Sequence, residues 1–275
     1  MKQICDDFLA EVNYLHAVFQ GLPEEIWTQE TRFMKWTPWD VVAHLHLFDL
    51  VGLKSAEGRG AFGQERNRLA VSFQQGKDHQ GVARENLAGL GASELIDAWH
   101  ATAVELAAKF SDLDPSSRLP WFGPDMGARM FLTARFMETW SHAQAIFDLA
   151  ELARTHTDRV RHVATIGIKT FGWTFVNREI EAPGPVPRVE LTAPSGDIWT
   201  WNEENMADYV RGDAAAFCFV VTQVRNIADT QLEVFGPVAR KWMAVAQCFA
   251  GAPTDPPAPG VRLPKSSQHP AASAQ

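Results

Sequence analysis

The chain has 275 residues, enough for one large domain or two of ordinary size, and its 46% hydrophobic and 21% charged content is typical of a globular protein. A net charge of −8 without a dense run of lysine or arginine argues against nucleic acid and membrane surfaces as partners, and no apolar run reaches the ~18 residues of a membrane span. The N-terminus has no signal-peptide pattern and the three cysteines are widely spaced, so we expect a cytoplasmic protein without a disulfide framework.

The predicted N-terminal domain, residues 1–180, is almost wholly helical. The second long helix has its own start signal, because Thr37 and Asp40 form an acidic capping box and a proline takes the first helical position. The fifth is weakened by two internal glycines. The predicted long helices, each with apolar residues at helical spacing, cover residues 4–19, 38–54, 93–110, 128–149 and 157–177.

A polar segment, residues 56–91, separates the second long helix from the third. It contains shorter helical pieces near 64–73 and 81–87. A loop rich in proline, glycine and aromatic residues, 119–127, follows the third helix. This loop could form the rim of a pocket, or it could be a connection packed by its own aromatic side chains.

The composition changes at residues 182–187, a proline-rich linker that precedes a predicted small α+β domain, residues 186–251. Residues 188–192 and 198–201 alternate like strands on either side of a turn and predict a hairpin. The tail, 252–275, is dominated by Pro, Ala, Ser and Gly and is predicted to be disordered. Further helical segments are predicted at about 206–210, 214–226 and 237–249.

Glu138 and His142 are four residues apart in the predicted fourth long helix. This spacing places both side chains on one helical face, one turn apart, where they can bind the same divalent metal ion. The alternative is an ordinary pair on an exposed helix surface. The surrounding stretch is rich in Phe, Met, Trp, Ala and Ile, and a glutamate in such surroundings is rarely buried unless it is paired or bound to metal.

His44, on the predicted second helix, is a candidate third ligand, which would complete a His₂Glu site inside a bundle. Its alternative is a core histidine with a satisfied hydrogen bond. His46 is two residues away and should face elsewhere, and Asp40 could cap the helix or accept a hydrogen bond from His44. His100 is a further candidate ligand or general base, with a partly exposed surface histidine as the alternative. The histidines without organised sequence context, to which no role is assigned, are His16, His79, His156 and His162.

Two motifs together resemble the DinB / mycothiol-dependent maleylpyruvate isomerase superfamily. They are Trp36-Thr-Pro-Trp-Asp-Val-Val-Ala-His-Leu45 and, much later, Glu138-Thr-Trp-Ser-His142. Three segments near the C-terminus resemble the α+β domain that follows the bundle in the two-domain, metal-binding branch. They are Leu191-Thr-Ala-Pro-Ser-Gly-Asp-Ile-Trp-Thr-Trp201, Gly212-Asp-Ala-Ala-Ala-Phe217 and Leu232-Glu-Val-Phe-Gly236.

The resemblance implies a mainly α protein, with an N-terminal DinB-like up-down four-helix bundle followed by a small α+β domain. It implies a metal in the bundle core, held by His44, Glu138 and His142. It also implies a catalytic arginine in the C-terminal domain, for which Arg225 is the nearest equivalent. The segment 56–91 departs from a compact bundle, so the family's substrate does not carry over.

The activity that the resemblance implies is a thiol-dependent isomerase or S-transferase. A low-molecular-weight thiol such as mycothiol would react as a metal-bound thiolate with a small unsaturated, carboxylate-bearing electrophile. A His₂Glu set with an open position suits zinc, although nickel or iron also accept these donors. Arg225 would bind the substrate carboxylate, with a surface salt bridge as its alternative.

Two other classes of function remain open at this point. One is a hydrolase or lyase that uses a metal-activated water at the same ligands, and the other is a non-catalytic protein that binds a metal or a small molecule. The metal site could also be empty, the resemblance then being structural only. A homodimer is compatible with the chain, whose oligomeric state the sequence leaves open.

Overall fold

The computed structural model describes residues 1–264, which divide into two compact units, Met1–Ile146 and the residues from Phe147 onwards. The boundary falls earlier than residue 180, the predicted end of the first domain. The physical reason is that the predicted fifth helix packs within the second unit. A Cβ atom added at Gly167 would lie 2.7 Å from a methyl carbon of Val221, so the two backbones approach closely there.

The first unit is built mainly from α-helices, and the helices α1, α2, α5 and α6 match the first four predicted long helices to within a few residues. The predicted loop after the third of them contains a short antiparallel hairpin of β1 and β2. No helix within residues 1–264 combines the length and apolar composition needed to cross a membrane. The elements are α1 Lys2–Gln20, α2 Pro38–Glu57, α3 Arg59–Gln74, α4 His79–Asn86, α5 Ala92–Ser111, β1 Arg118–Leu119, β2 Met126–Gly127 and α6 Ala128–Ala150.

The start of α2 has the predicted capping box, in which Thr37 Oγ1 accepts from the backbone of Asp40 and the Asp40 carboxylate accepts from the backbone of Thr37. The same carboxylate accepts hydrogen bonds from Arg84, at 2.5 and 2.8 Å, and from Gln80. Burial opposes ionisation of Asp40, but Arg84 and the hydrogen bonds lower the pKa of this carboxyl below its usual value. These bonds attach α4, within the segment 56–91, to the beginning of α2.

The core of the first unit contains a buried ion pair between α2 and α6. Arg135 Nε lies 2.9 Å from Asp49 Oδ1, and both side chains are almost fully buried. Trp99 of α5 donates its indole N–H to the other carboxylate oxygen at 3.2 Å. Because a buried charge without a partner is costly, this cluster defines how α2, α5 and α6 pack around one another.

The second unit contains a four-stranded sheet, in the order β4-β3-β5-β6. The strands β3 and β4 form the predicted antiparallel hairpin, whereas β3 and β5 are parallel. The pairing of β5 with β6 is again antiparallel. The elements of this unit after α6 are α7 Arg161–Lys169, α8 Phe171–Val176, β3 Arg188–Thr192, β4 Ile198–Trp201, β5 Tyr209–Asp213, α9 Ala214–Val221, β6 Glu233–Phe235 and α10 Pro237–Val245.

Three predictions for this unit need correction. The predicted helix 157–177 is interrupted at Thr170, where the backbone turns between α7 and α8, two residues before a glycine. The predicted helical segment 206–210 is wrong, because its last two residues begin β5, whose backbone is paired on both sides in the sheet. The predicted helix 214–226 ends at Val221, since Gln223 has a φ of 56° that an α-helix cannot continue through.

The prediction of a disordered tail from residue 252 is also wrong for its first part. Arg178 forms an ion pair with Asp255, and Gly260 donates its backbone N–H to Asp229 at 2.8 Å. These bonds hold residues 252–264 against the second unit. Residues 265–275, the remainder of that tail, lie outside the described part of the chain.

Candidate metal centre

Three potential ligands meet inside the first unit. His44 lies on α2, and Glu138 and His142 lie one turn apart on α6. His142 Nε2 is 3.1 Å from Glu138 Oε2, and His44 Nε2 is 3.4 Å from the same oxygen. One ligand atom from each residue lies within 4.8 Å of the others, and no other such group of three occurs among residues 1–264. The three residues proposed from the sequence therefore share one site.

Two of the three potential ligands, His44 and Glu138, hold the protonation states that a metal requires. Burial lowers the pKa of His44 to about 3, so its imidazole is neutral near neutral pH. Burial alone would raise the pKa of the Glu138 carboxyl, but its contacts with His142 and His44 outweigh burial and hold this pKa well below the usual value. A neutral imidazole and an ionised carboxylate are both competent metal ligands.

This donor set fits a divalent cation with three protein ligands. Two imidazoles and one carboxylate are a ligand set of catalytic zinc, and three protein ligands leave a coordination position for an exogenous group. The nitrogen atoms that face the carboxylate are both Nε2. The other ring nitrogen of His44, Nδ1, is buried and has no hydrogen-bond partner among the described residues.

Aromatic rings enclose the two histidines. Trp36 stacks on His142, with ring centroids 6.0 Å apart and planes 8° from parallel, and lies 5.3 Å from His44. Phe33 meets His142 edge-on at 5.0 Å, and Phe48 lies 4.8 Å from His44. Such packing restricts the rotamers of both imidazoles, which keeps their Nε2 atoms directed at Glu138.

His79, to which the sequence assigned no role, lies beside this site. Its ring centroid is 6.2 Å from that of His44, 5.7 Å from Phe48 and 5.3 Å from Phe73. Burial lowers the pKa of His79, and the charge of Glu138 opposes this effect. Only the packing of α4 against α2 brings His79 here, and no local motif in the sequence indicated it.

The other candidate histidines lie outside the ligand group. His46 is buried, and burial lowers its pKa to about 4. His100 contacts Asn13 Oδ1 through its Nε2 at 2.7 Å, and its ring lies 4.2 Å from that of His16. His16 in turn contacts Asp97 at 2.8 Å. The suggestion that His100 is a metal ligand therefore finds no support in the ligand group.

Arg225 lies in the second unit and forms an ion pair with Asp148, at 2.7 Å between Nη2 and Oδ1. The pair is buried, since both side chains are about one-tenth exposed, and so differs from the surface salt bridge considered from the sequence. The guanidinium also lies 5.3 Å from the ring centroid of Phe219. Arg225 thus carries a charge that its own unit already balances.

Comparisons with known proteins show the family to which the chain belongs. A family model described as the mycothiol maleylpyruvate isomerase N-terminal domain matches residues 8–147. The chain is 33% identical over 247 residues to the uncharacterized proteins MT0041 and Rv0036c of two Mycobacterium tuberculosis strains, CDC 1551 / Oshkosh and ATCC 25618 / H37Rv; each match covers 90% of this chain and 95% of the relative.

A crystal structure of the mycothiol-dependent maleylpyruvate isomerase aligns with a TM-score of 0.49 and 12% identity, over 79% of this chain and 87% of that one. The family model spans the helices that carry all three ligands, and the two mycobacterial relatives extend the match over most of the chain. The chain therefore belongs to the mycothiol maleylpyruvate isomerase N-terminal domain family, within the DinB-like superfamily that the motifs around His44 and Glu138 indicated.

Proposed function

We propose that this protein is a metal-dependent enzyme that uses a low-molecular-weight thiol to isomerise a small electrophilic substrate or to transfer the thiol onto it. The observation that carries the proposal is the meeting of His44, Glu138 and His142 at one point inside an aromatic enclosure. Family membership favours mycothiol as the thiol, and the donor set favours zinc over nickel or iron.

The chain's own residues prepare this chemistry. His44 is kept neutral by burial, and Glu138 is kept ionised by its contacts with the histidines, so both offer lone pairs without first losing a proton. When bound, a divalent cation would lower the pKa of a thiol or water at the remaining position, so that it reacts near neutral pH. Trp36, Phe33 and Phe48 pack against the imidazoles and limit the contact of these rings with water, which strengthens electrostatic interactions in the site.

The thiol could react with the substrate in two ways, isomerisation and transfer, and neither reaction needs a further reagent. In isomerisation, sulfur bonds to one carbon of a conjugated alkene while the π electron pair moves to the activating carbonyl or carboxylate. The resulting single bond rotates, and the returning electron pair expels the thiol. In transfer, sulfur displaces a leaving group, which departs with its electron pair, and the product keeps the thiol.

The first experiment measures whether turnover depends on thiol. The zinc-loaded protein is mixed with unsaturated acids, with and without mycothiol, and the amounts of cis acid, trans acid and thiol adduct are measured by liquid chromatography. We expect a rate that saturates with thiol, is lost in Glu138→Ala and is unchanged in His100→Ala, since His100 lies outside the ligand group. Turnover that is independent of thiol would indicate a metal-water hydrolase or lyase instead, and zinc binding without any turnover would indicate a binding protein.

Arg225 is proposed, from the family resemblance, to position a substrate carboxylate. Charge-assisted hydrogen bonds contribute about 1.5–3 kcal/mol, so Arg225→Gln should raise KM for a carboxylate-bearing substrate roughly 10- to 100-fold and leave KM for its neutral ester unchanged. The matched control is Arg178→Gln, which removes another ion-paired arginine of the same unit. An equal rise in KM for the acid and the ester would contradict this role and leave Arg225 as the partner of Asp148 alone.

A further inference from the structure

The surroundings of His44 include residues from outside α2 and α6, the helices that carry the potential ligands. The segment containing α3 and α4, and the loop between β1 and β2, bring further rings to the same place. Phe48 touches His44, and Trp121 and Phe122 of the loop lie 6.4 and 6.1 Å from Phe48. We call this set the aromatic wall. Its members are Phe48, Phe62, Phe73, His79, Trp121 and Phe122.

The aromatic wall is continuous from the ligand to the protein surface. Phe62 of α3 supports Trp121 at 6.1 Å and Phe122 at 5.5 Å and is itself buried. At the other end, Phe122 is 42% exposed. A path of ring faces therefore begins in solvent and ends at the imidazole of His44. An exposed aromatic ring that connects through packed rings to a candidate metal ligand is compatible with a binding surface for a small molecule.

Three arginines on the elements around the aromatic wall are already paired with carboxylates. They lie on α3, α4 and α6, in the pairs Arg59–Asp125, Arg84–Asp40 and Arg135–Asp49. These guanidinium groups are therefore engaged within the protein. What the wall offers a bound molecule is ring surface, together with the hydrogen-bonding edge of His79.

We propose that the aromatic wall is the subsite for the electrophile, and that this substrate carries a planar apolar group, an aromatic ring or a conjugated chain, beside its reacting carbon. Planar groups stack on or meet the edges of aromatic side chains, and such pairs add to the free energy gained by burying apolar surface. This inference rests on the proposed function, because it assigns one end of the substrate of that site.

The test compares two ligands that chelate zinc through the same group and differ only in their apolar part, acetohydroxamate and benzohydroxamate. Their affinities for the zinc-loaded protein are measured by titration calorimetry. We expect benzohydroxamate to bind about 10-fold more tightly, and Phe122→Ala to reduce this preference about 3- to 10-fold with no change for acetohydroxamate. The matched control is Phe235→Ala, which removes a half-exposed phenylalanine of the second unit. Phe73→Ala removes a member of the aromatic wall that lies on α3, and it should reduce the preference for benzohydroxamate in the same way.

The outcomes separate this inference from the proposed function. Equal affinities of the two hydroxamates in zinc-loaded protein would overturn the subsite even if thiol-dependent turnover is observed. A preference for benzohydroxamate that depends on Phe122, without any turnover, would support the subsite and contradict the proposed function. If the protein holds no zinc, the neutral arene benzylideneacetone is titrated by NMR instead. Its binding should then weaken in Phe122→Ala, and the absence of such weakening would overturn the subsite.

Discussion

Glu138→Ala is expected to remove stoichiometric zinc from the purified protein, and His44→Ala and His142→Ala are expected to do the same. Each variant leaves only two of the three donors that meet in the first unit. Changing a residue that merely supports a metal ligand already costs 10- to 100-fold in affinity, so loss of a ligand should cost more than about 100-fold. The measurement is elemental analysis of protein expressed without a metal-binding tag.

Loss of zinc binding should also remove the stabilisation of the protein by zinc against thermal unfolding. A cation that binds only the folded chain stabilises it by about 2.7 kcal/mol when present at 100 times its dissociation constant. Added zinc should therefore raise the melting temperature of the parent and of the control His100→Ala, and should leave the melting temperature of the three ligand variants unchanged. A parent that takes up no zinc, nickel or iron after reconstitution would refute the metal centre.

Arg135→Met is expected to lower the free energy of unfolding by about 3–5 kcal/mol, because it leaves the buried carboxylate of Asp49 without its charged partner. Only the indole N–H of Trp99 would then remain as a hydrogen-bond donor to that carboxylate among the contacts described above. The measurement is urea denaturation followed by circular dichroism. Replacing both partners, Arg135→Met with Asp49→Leu, should recover most of the loss, since no unpaired charge remains in the core.

The control for this prediction is an exposed ion pair of the same unit. Lys54 and Glu57 are both nearly half-exposed, and Lys54→Met should cost no more than about 1 kcal/mol. Equal losses for Arg135→Met and Lys54→Met would mean that the buried pair does not hold α2 against α6. Because Arg135 lies one turn before Glu138 on α6, zinc content of Arg135→Met also reports whether this packing positions the ligand.

Much of the candidate metal centre could be predicted, because two of its three potential ligands lie close together in the sequence. Glu138 and His142 lie on one face of any helix that contains both, and an apolar helix needs a reason to carry a glutamate. The choice of His44 over His46 and His100 depended on the family resemblance of the motif around Trp36 and not on spacing. His79 could not be found in this way, because its contact with His44 arises only when α4 packs on α2.

In the second unit too, features specified by neighbouring residues were predictable, and features that depend on distant pairing were not. The hairpin of β3 and β4 was predictable, since alternating residues on both sides of a turn specify it locally. The strands β5 and β6 were missed, because each is short and pairs with a partner distant in the chain, β5 in parallel with β3. The end of α9 was also misplaced, where a positive φ at Gln223 turns the backbone away from the helix.

Local patterns in the sequence alone determined the long helices, the capped start of α2, the hairpin and the helical face that carries Glu138 and His142, since caps, turns and side-chain periodicity act over a few residues. Tertiary structure decided the boundary between the units, the parallel pairing of β3 with β5, the ordered stretch 252–264 and the aromatic wall beside His44. Those features depend on which surfaces, distant in the sequence, bury one another. The free energy gained by this burial depends on the folded chain as a whole rather than on any one segment.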